Sequence, residues 1–336
     1  MIKLAIDIGS SMTKIYRADT NSGVVLAEPS CVAVCDDGQE IKAVGKAAKN
    51  LIGKTAEYTR IVNPIKEGLI VDRQIAAKML CEFLSRIGIK RAALRHALIV
   101  VSIPCGLGDD QLSEYIALMD ECDLHKVRFV EQPYLAALGG GAVLSETDPI
   151  FCLDIGGGMS NAAVISANGI IAGIALNVGG SHIDSRIINK LANDNKLLIG
   201  ALTAEKIKNE IGSLSISPLG SVVAEGSSTQ SCQPCSTSVH ATDLTECVRA
   251  CVNQILDYAV GVLWNLPAEV AAAVHHNGVY LSGGVMKMTQ APQYIGSELK
   301  MRYHVCEEPQ FATVLGGGVL LQDKELLDRF ARKVDM

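Results

Sequence analysis

Two stretches decide how this chain is read: LAIDIGSSMTKIY at Leu4–Tyr16 and FCLDIGGGMSNAAVI at Phe151–Ile165. Each is an apolar run carrying Asp-Ile-Gly, then a few small residues, then a second apolar run. An apolar run that halts at glycine and restarts after small residues predicts strand–turn–strand. The two aspartates, Asp7 and Asp154, lie 147 residues apart. One such turn is a weak signal, whereas two copies at this separation predict a duplicated domain.

The turns also carry chemistry. Gly9, Ser10 and Ser11 in the first copy, and Gly156, Gly157 and Gly158 in the second, let backbone N–H groups come close to a phosphate. If the copies face each other, they clamp a polyphosphate, with Asp7 and Asp154 flanking it. Carboxylates beside phosphates suit Mg²⁺, usually through its water shell. Taken alone, a Gly-rich tip is better read as a tight hairpin turn, and it is the paired aspartates that favour the phosphate reading. Lys14 interrupts the second apolar run of the first copy. It is either a solvated-face lysine or a point charge for the β- and γ-phosphates.

Working outward, strand-like runs are expected at Lys3–Ile8, Ala97–Ile103, Ile150–Ile155, Asn161–Ser166, Ile170–Ala175 and Gly278–Ser282. Helical spacing joins Ile75, Met79, Phe83 and Ile87. It also joins Leu112, Ile116 and Met119, and runs from Leu244 through Val248, Val252, Ile255 and Ala259 to Val262. Strands alternating with helices predict an α/β protein.

Bulk properties narrow the classes. The 336 residues exceed one ordinary core, so two domains are expected. Half of the residues are apolar, as in a well-packed globular protein. The net charge of −6, without a basic block, argues against nucleic-acid binding. No apolar run is long enough to span a bilayer, and Asp7 interrupts the N-terminus too early for a signal peptide. The chain reads as cytoplasmic.

Eleven cysteines mostly sit in apolar runs and are expected to be reduced core residues. The cluster Cys232, Cys235, Cys247 and Cys251 opens with C-x-x-C, a pattern that zinc or redox sites share. Its last pair falls on an expected helix, off the usual zinc-ribbon spacing. A Ser-rich hairpin within Ser213–Ser238, followed by that helix, is the plainer expectation.

Beyond the two hairpins, a series of stretches resembles the MreB-type bacterial actins, within the actin, sugar kinase and heat-shock chaperone ATPase superfamily. They are EPSCVAV (28–34), AVGKAAKNLIGKT (43–55), NPIKEGLIVD (63–72), VSIPCG (101–106), EQPYLAALGGG (131–141), DIGGGMSNAAVIS (154–166), NVGGSHID (177–184), LTAEKIKNEIGS (202–213), LSGGV (281–285) and VLGGGVLL (314–321). They keep the family's order from Lys3 to about Leu321. The resemblance implies a duplicated actin-like ATPase fold, with two mixed-sheet domains around a nucleotide cleft. Domain I is expected at 1–146 plus about 309–336, with a peripheral subdomain at about 28–72. Domain II is expected at 147–308, with a peripheral subdomain at about 181–246. The implied ligands are ATP or ADP with Mg²⁺, and the implied partner is the chain itself in a filament. Cell-wall synthesis proteins and a membrane surface are further partners the resemblance brings in.

Position by position, the resemblance assigns Asp7, Gly9, Ser10, Ser11 and Met12 to the first phosphate loop, and Asp154 through Gly156, Gly157 and Gly158 to Ser160 to the second. Gly179 and Gly180 match a nucleotide-facing turn. Glu205 and Lys208, on a helix expected over Thr203–Ile211, match contacts to ribose and base, although they also fit a plain charged surface. Gly283 and Gly284 match the adenosine motif, whose third glycine is Val285 here. Gly316 to Gly318 match the second connection between domains.

The departures concern hydrolysis. Where the family has a water-positioning glutamate before Pro133, this chain has Gln132, with the acid one step earlier at Glu131. Eukaryotic actin also uses glutamine there. A glutamine orients water but is no general base near neutral pH. The family's threonine after the second glycine loop is Met159, with Ser160 as the expected substitute. ATP binding with slow hydrolysis is therefore expected, and Gln132→Glu should raise the rate.

The family's membrane holds are not evident. The first strand leaves no room for an N-terminal helix. Ile87–Leu94, with Ile87, Ile89 and Leu94 beside Lys90, Arg91 and Arg95, reads as an ordinary helix–strand connection or as a membrane-facing loop. The competing functions are a small-molecule kinase and a free-standing reactivase ATPase. A kinase would need a substrate-facing carboxylate base in the cleft.

Overall fold

The computed structural model describes residues 1–19, 23–35, 40–55 and 58–332. The last four positions of the expected domain I tail, 333–336, lie outside the described residues, as do 36–39 and 56–57 of its peripheral part.

Two five-stranded mixed sheets organise the chain. The first runs Gly23–Pro29, Met12–Arg17, Lys3–Ile8, Leu98–Ile103, Lys126–Glu131. The second runs Gly169–Leu176, Ser160–Ser166, Ile150–Ile155, Val279–Ser282, Tyr303–Val305. In each, the first three strands form an antiparallel meander and the last two add in parallel. The same order and sense in both sheets make the duplication a structural fact. All six expected strands agree to within one residue at each end, and Lys3–Ile8 and Ile150–Ile155 agree at both.

Strand composition follows burial. All six residues of Ile150–Ile155 are buried, so the strand is nearly continuous in apolar residues instead of alternating. Helices cover the sheets. Arg73–Arg86 is capped by Asp72, whose carboxylate accepts the Ile75 N–H at 3.0 Å, and it buries Ile75, Met79 and Phe83. Ile87 is its C-cap. The long helix Ala241–Trp264 buries Leu244, Val248, Val252, Ile255 and Ala259 in the second lobe's core.

Two helices, Gln132–Gly139 and Ala312–Leu320, pack between the sheets. They approach so closely that a Cβ on Gly316 would sit 1.8 Å from the Leu135 carbonyl oxygen, and one on Gly139 would sit 1.9 Å from that of Ala312. Gly317 and Gly318 meet Ala5 and Tyr16 of the first sheet in the same way. The VLGGGVLL run is thus a packing surface where the chain crosses between lobes.

The Ser-rich segment folds as a hairpin, Ser221–Ser228 with Pro234–His240. Cys232 and Cys235 are exposed on it, and Cys247 and Cys251 lie on the following helix. Among the described residues, no group of three or more His, Cys, Asp or Glu could hold a metal. Ile87–Leu94 is a helix–strand connection. Ile89 and Leu94 are buried in the first core and Ile87 packs against it, so the apolar side chains of a membrane-facing loop are turned inward. Arg91 and Arg95 instead pair with Asp123. Among the described residues, no helix is long and apolar enough to cross a membrane.

Candidate functional site

The two hairpins meet at the floor of a cleft. Each turn closes with the same backbone bond: Gly9 N–H to the Met12 carbonyl at 3.1 Å, and Gly156 N–H to that of Met159 at 2.9 Å. The loops touch tip to tip, so a Cβ on Gly157 would lie 2.0 Å from Ser11 Oγ and one on Gly158 2.7 Å from Ser10 Cβ. Ser10 Oγ also accepts the Gly68 N–H at 2.9 Å. The cleft above holds about 1050 Å³ of space, counting its open mouth.

The carboxylates are held by matching partners. Asp7 accepts from Ser102 Oγ at 2.7 Å, and Asp154 accepts from Ser282 Oγ at 2.8 Å. Each serine comes from the parallel strand beside its aspartate. Lys14 lies opposite Asp7 in register and its Nζ reaches Asp7 Oδ2 at 2.8 Å, with both side chains largely buried. In the second hairpin, Asn161 occupies that register position opposite Asp154. Burial pushes the Asp154 carboxyl above the usual carboxylate range, against the Ser282 hydrogen bond, and the charge on Asp7 pushes the same way.

Gln132 lines the cleft beside Asp7. Its Nε2 points at Asp7 Oδ1 from 3.5 Å, and its Oε1 accepts from Asn161 Nδ2 at 2.7 Å. The other two residues expected to help with water lie elsewhere. Glu131 ends its strand with its carboxylate accepting the Gly106 N–H at 2.8 Å, outside the cleft lining. Ser160 is fully buried and donates to the Val178 carbonyl at 2.6 Å, so its hydroxyl does not reach the cleft. Met159 does line it, with its thioether against Gly68. The place expected for a threonine thus presents only sulfur.

Gly180 lines the cleft and starts the helix Gly180–Asp194. Its N–H and that of Ser181 donate to the Gly156 and Gly157 carbonyls at 3.0 and 2.7 Å, bracing the second loop. Gly179 sits behind that loop, where a Cβ would meet the Gly156 and Gly157 oxygens at 2.8 Å.

Further up, Glu205 and Lys208 project from the helix Ala201–Ile211. Lys208 pairs with Asp184 at 2.8 Å and donates to the Gly180 carbonyl at 3.1 Å. Glu205 pairs at 2.6 Å with Lys49, which belongs to the other lobe's periphery, so a salt bridge spans the cleft mouth. Gly283 and Gly284 follow the strand Val279–Ser282, and with Val285 and Met288 they form the upper wall. Beside them lie Pro309, Gln310 and Thr313, with the Gly283 N–H donating to the Pro309 carbonyl at 2.8 Å. The Gln310 Oε1 atom is buried without a hydrogen-bond partner.

Ser102, Ser282, Asn161, Lys49, Asn209, Met288 and Gln310 had no role in the sequence reading. Ser102 and Ser282 fall inside the motifs VSIPCG and LSGGV, so the signal was present but not decoded.

Duplicated sheets of one order, two crossing helices, and a cleft floored by paired Asp-Ile-Gly hairpins define an actin-like protein. The chain belongs to the MreB/Mbl family of cell shape-determining proteins, matching the MreB/Mbl protein family over residues 1–329. It is 29% identical to the cell shape-determining protein MreB of Escherichia coli (strain K12), over 95% of this chain and 93% of that one. It is 27% identical to the cell shape-determining protein Mbl of Bacillus subtilis (strain 168), over 97% of each. Its structure superposes on the crystal structure of MreB 5 of Spiroplasma citri bound to AMPPNP with TM-score 0.90, at 25% identity, covering 96% and 97% of the two chains. The MamK double helical filament matches with TM-score 0.79 at 17% identity, covering 96% and 99%, which speaks for the fold.

Proposed function

We propose that the protein binds ATP or ADP with Mg²⁺ in this cleft and assembles into nucleotide-dependent filaments that organise cell shape, with slow hydrolysis. The observation that carries the reading is the pair of facing hairpins with Asp7 and Asp154 on either side of the contact. It is supported by the Spiroplasma citri MreB5 structures with AMPPNP and with ADP. The donor set fits a hard cation: two largely buried carboxylates, one of them with no basic partner in its own hairpin. Bound there, Mg²⁺ would neutralise phosphate charge. Gln310, with its unpaired acceptor, fits the exocyclic amine of adenine.

The lobes divide at 146/147 and at about 308/309. Assembly is head-to-tail and open-ended, and the partners beyond the chain itself are cell-wall synthesis proteins. Slow turnover follows from Gln132 and Met159 at the water-positioning places. Pelleting of the purified protein with ATP and Mg²⁺, paired with phosphate release, tests the proposal. ATP-dependent polymer with phosphate release well below a glutamate-bearing relative is expected. Failure to pellet under all nucleotide conditions would remove the filament, and phosphate release equal to that relative would remove the slow step.

A further inference from the structure

We propose that Asn161 is a positioning residue that holds Gln132 in an unproductive orientation and so sets the hydrolytic rate. The inference rests on the nucleotide reading of the cleft.

The hydrogen bonds at this point run in one direction. The Cys105 backbone N–H donates to Asn161 Oδ1 at 3.1 Å. A backbone N–H cannot accept, so this contact fixes which end of the Asn161 amide is oxygen. The Nδ2 end then faces Gln132 and donates to its Oε1 at 2.7 Å. That in turn fixes the Gln132 amide and leaves Nε2 facing Asp7 Oδ1. Cys105, Asn161 and Gln132 are all buried, so water does not compete for these bonds.

A glutamine positions an attacking water by accepting one of its hydrogens at Oε1. Here that oxygen is turned from the cleft toward Asn161, while the side chain shows the cleft its donor end. Asn161 is not in the cleft lining, so it acts through the lining residues its amide reaches, Gln132 and, in its own hairpin, Asp154. Its place in the hairpin is the one that Lys14 fills in the other copy. The second copy has thus exchanged a cation beside its aspartate for a neutral amide that also reaches across to Gln132.

Removing the hold frees Gln132 to turn. Asn161→Leu, close in size, and Asn161→Ala are to be compared with wild type in single-turnover phosphate release and in fluorescent-ATP titration, each also in a Gln132→Ala background. We expect release to accelerate on the order of three- to tenfold with affinity within about twofold, and no acceleration where Gln132 is absent. A loss of folding would depress both measurements in both backgrounds, and the second variant guards against it. Unchanged or slower release in both folded variants, with ATP binding intact, overturns the hold. Acceleration that persists without Gln132 also overturns it. Absence of ATP binding by the wild type overturns the nucleotide reading itself, and the hold with it.

Discussion

The two Asp-Ile-Gly hairpins share a backbone and differ in one register position. Opposite Asp7 stands Lys14, and opposite Asp154 stands Asn161. The first copy is therefore charge-balanced within itself. The second keeps a buried carboxylate with a serine hydroxyl and an amide for company, and its pKa is raised. Duplication supplied two equal frames, and divergence at a single facing residue gave them different tasks. One frame pairs its aspartate with its own lysine, and the other leaves its aspartate without a basic partner in the hairpin.

Making the first copy like the second should have the largest effect. Lys14→Asn leaves Asp7 buried without its cation, a loss of about 3 kcal/mol in a urea titration, and should weaken ATP binding by on the order of a hundredfold. Unchanged affinity would show that Lys14 serves only Asp7. Next comes the crossing on which both copies rest. Gly316→Ala drives a Cβ into the Leu135 carbonyl, so a loss of about 1–3 kcal/mol is expected, read as a lower urea midpoint.

Asp154→Asn probes the uncompensated copy. Because the folded pKa of Asp154 is raised, its contribution favours the fold below the unfolded carboxylate value. That contribution is lost as pH rises through the raised folded value. The nucleotide-free variant should then be more stable than wild type near neutral pH, and flatter in its melting temperature across the acidic range. It should also lose Mg²⁺-dependent ATP binding. A variant less stable than wild type at neutral pH would contradict the uncompensated charge.

The smallest effect is expected at the cleft mouth. Lys49 and Glu205 are each about one-third exposed, so their bridge contributes about 0–1 kcal/mol. Lys49→Ala should leave the melting temperature nearly unchanged. It should speed ADP release by a few fold, since the Lys49–Glu205 pair ties the two lobes together there. Unaltered release would mean that the bridge is ornamental to opening.

What could be read from the sequence was local. The hairpins, their repeat and the strand ends follow from apolar runs broken by small residues, and the helix Ala241–Trp264 follows from its spacing. The candidate site was partly readable for the same reason, since each Asp-Ile-Gly loop is one continuous segment. Glu131 and Ser160 were misplaced because neighbouring residues at a strand end point to opposite sides. Gln132 and Met159 reach the cleft, while Glu131 and Ser160 bond to backbone elsewhere. The sequence also left Ile87–Leu94 open between connection and membrane loop, and packing turned Ile89 and Leu94 inward.

By itself, then, the sequence determined the duplicated actin-like frame and the two Asp-Ile-Gly loops, because a strand, a turn and their register are fixed by residues a few positions apart. Only the tertiary structure decided what each aspartate is paired with, which way Gln132 faces, and that Lys49 reaches Glu205. Apart from Lys14 on Asp7, which the hairpin register sets, those contacts join segments from 29 to 156 residues apart. Their geometry is set by how two sheets and two crossing helices pack, a property of the whole core and not of any one stretch.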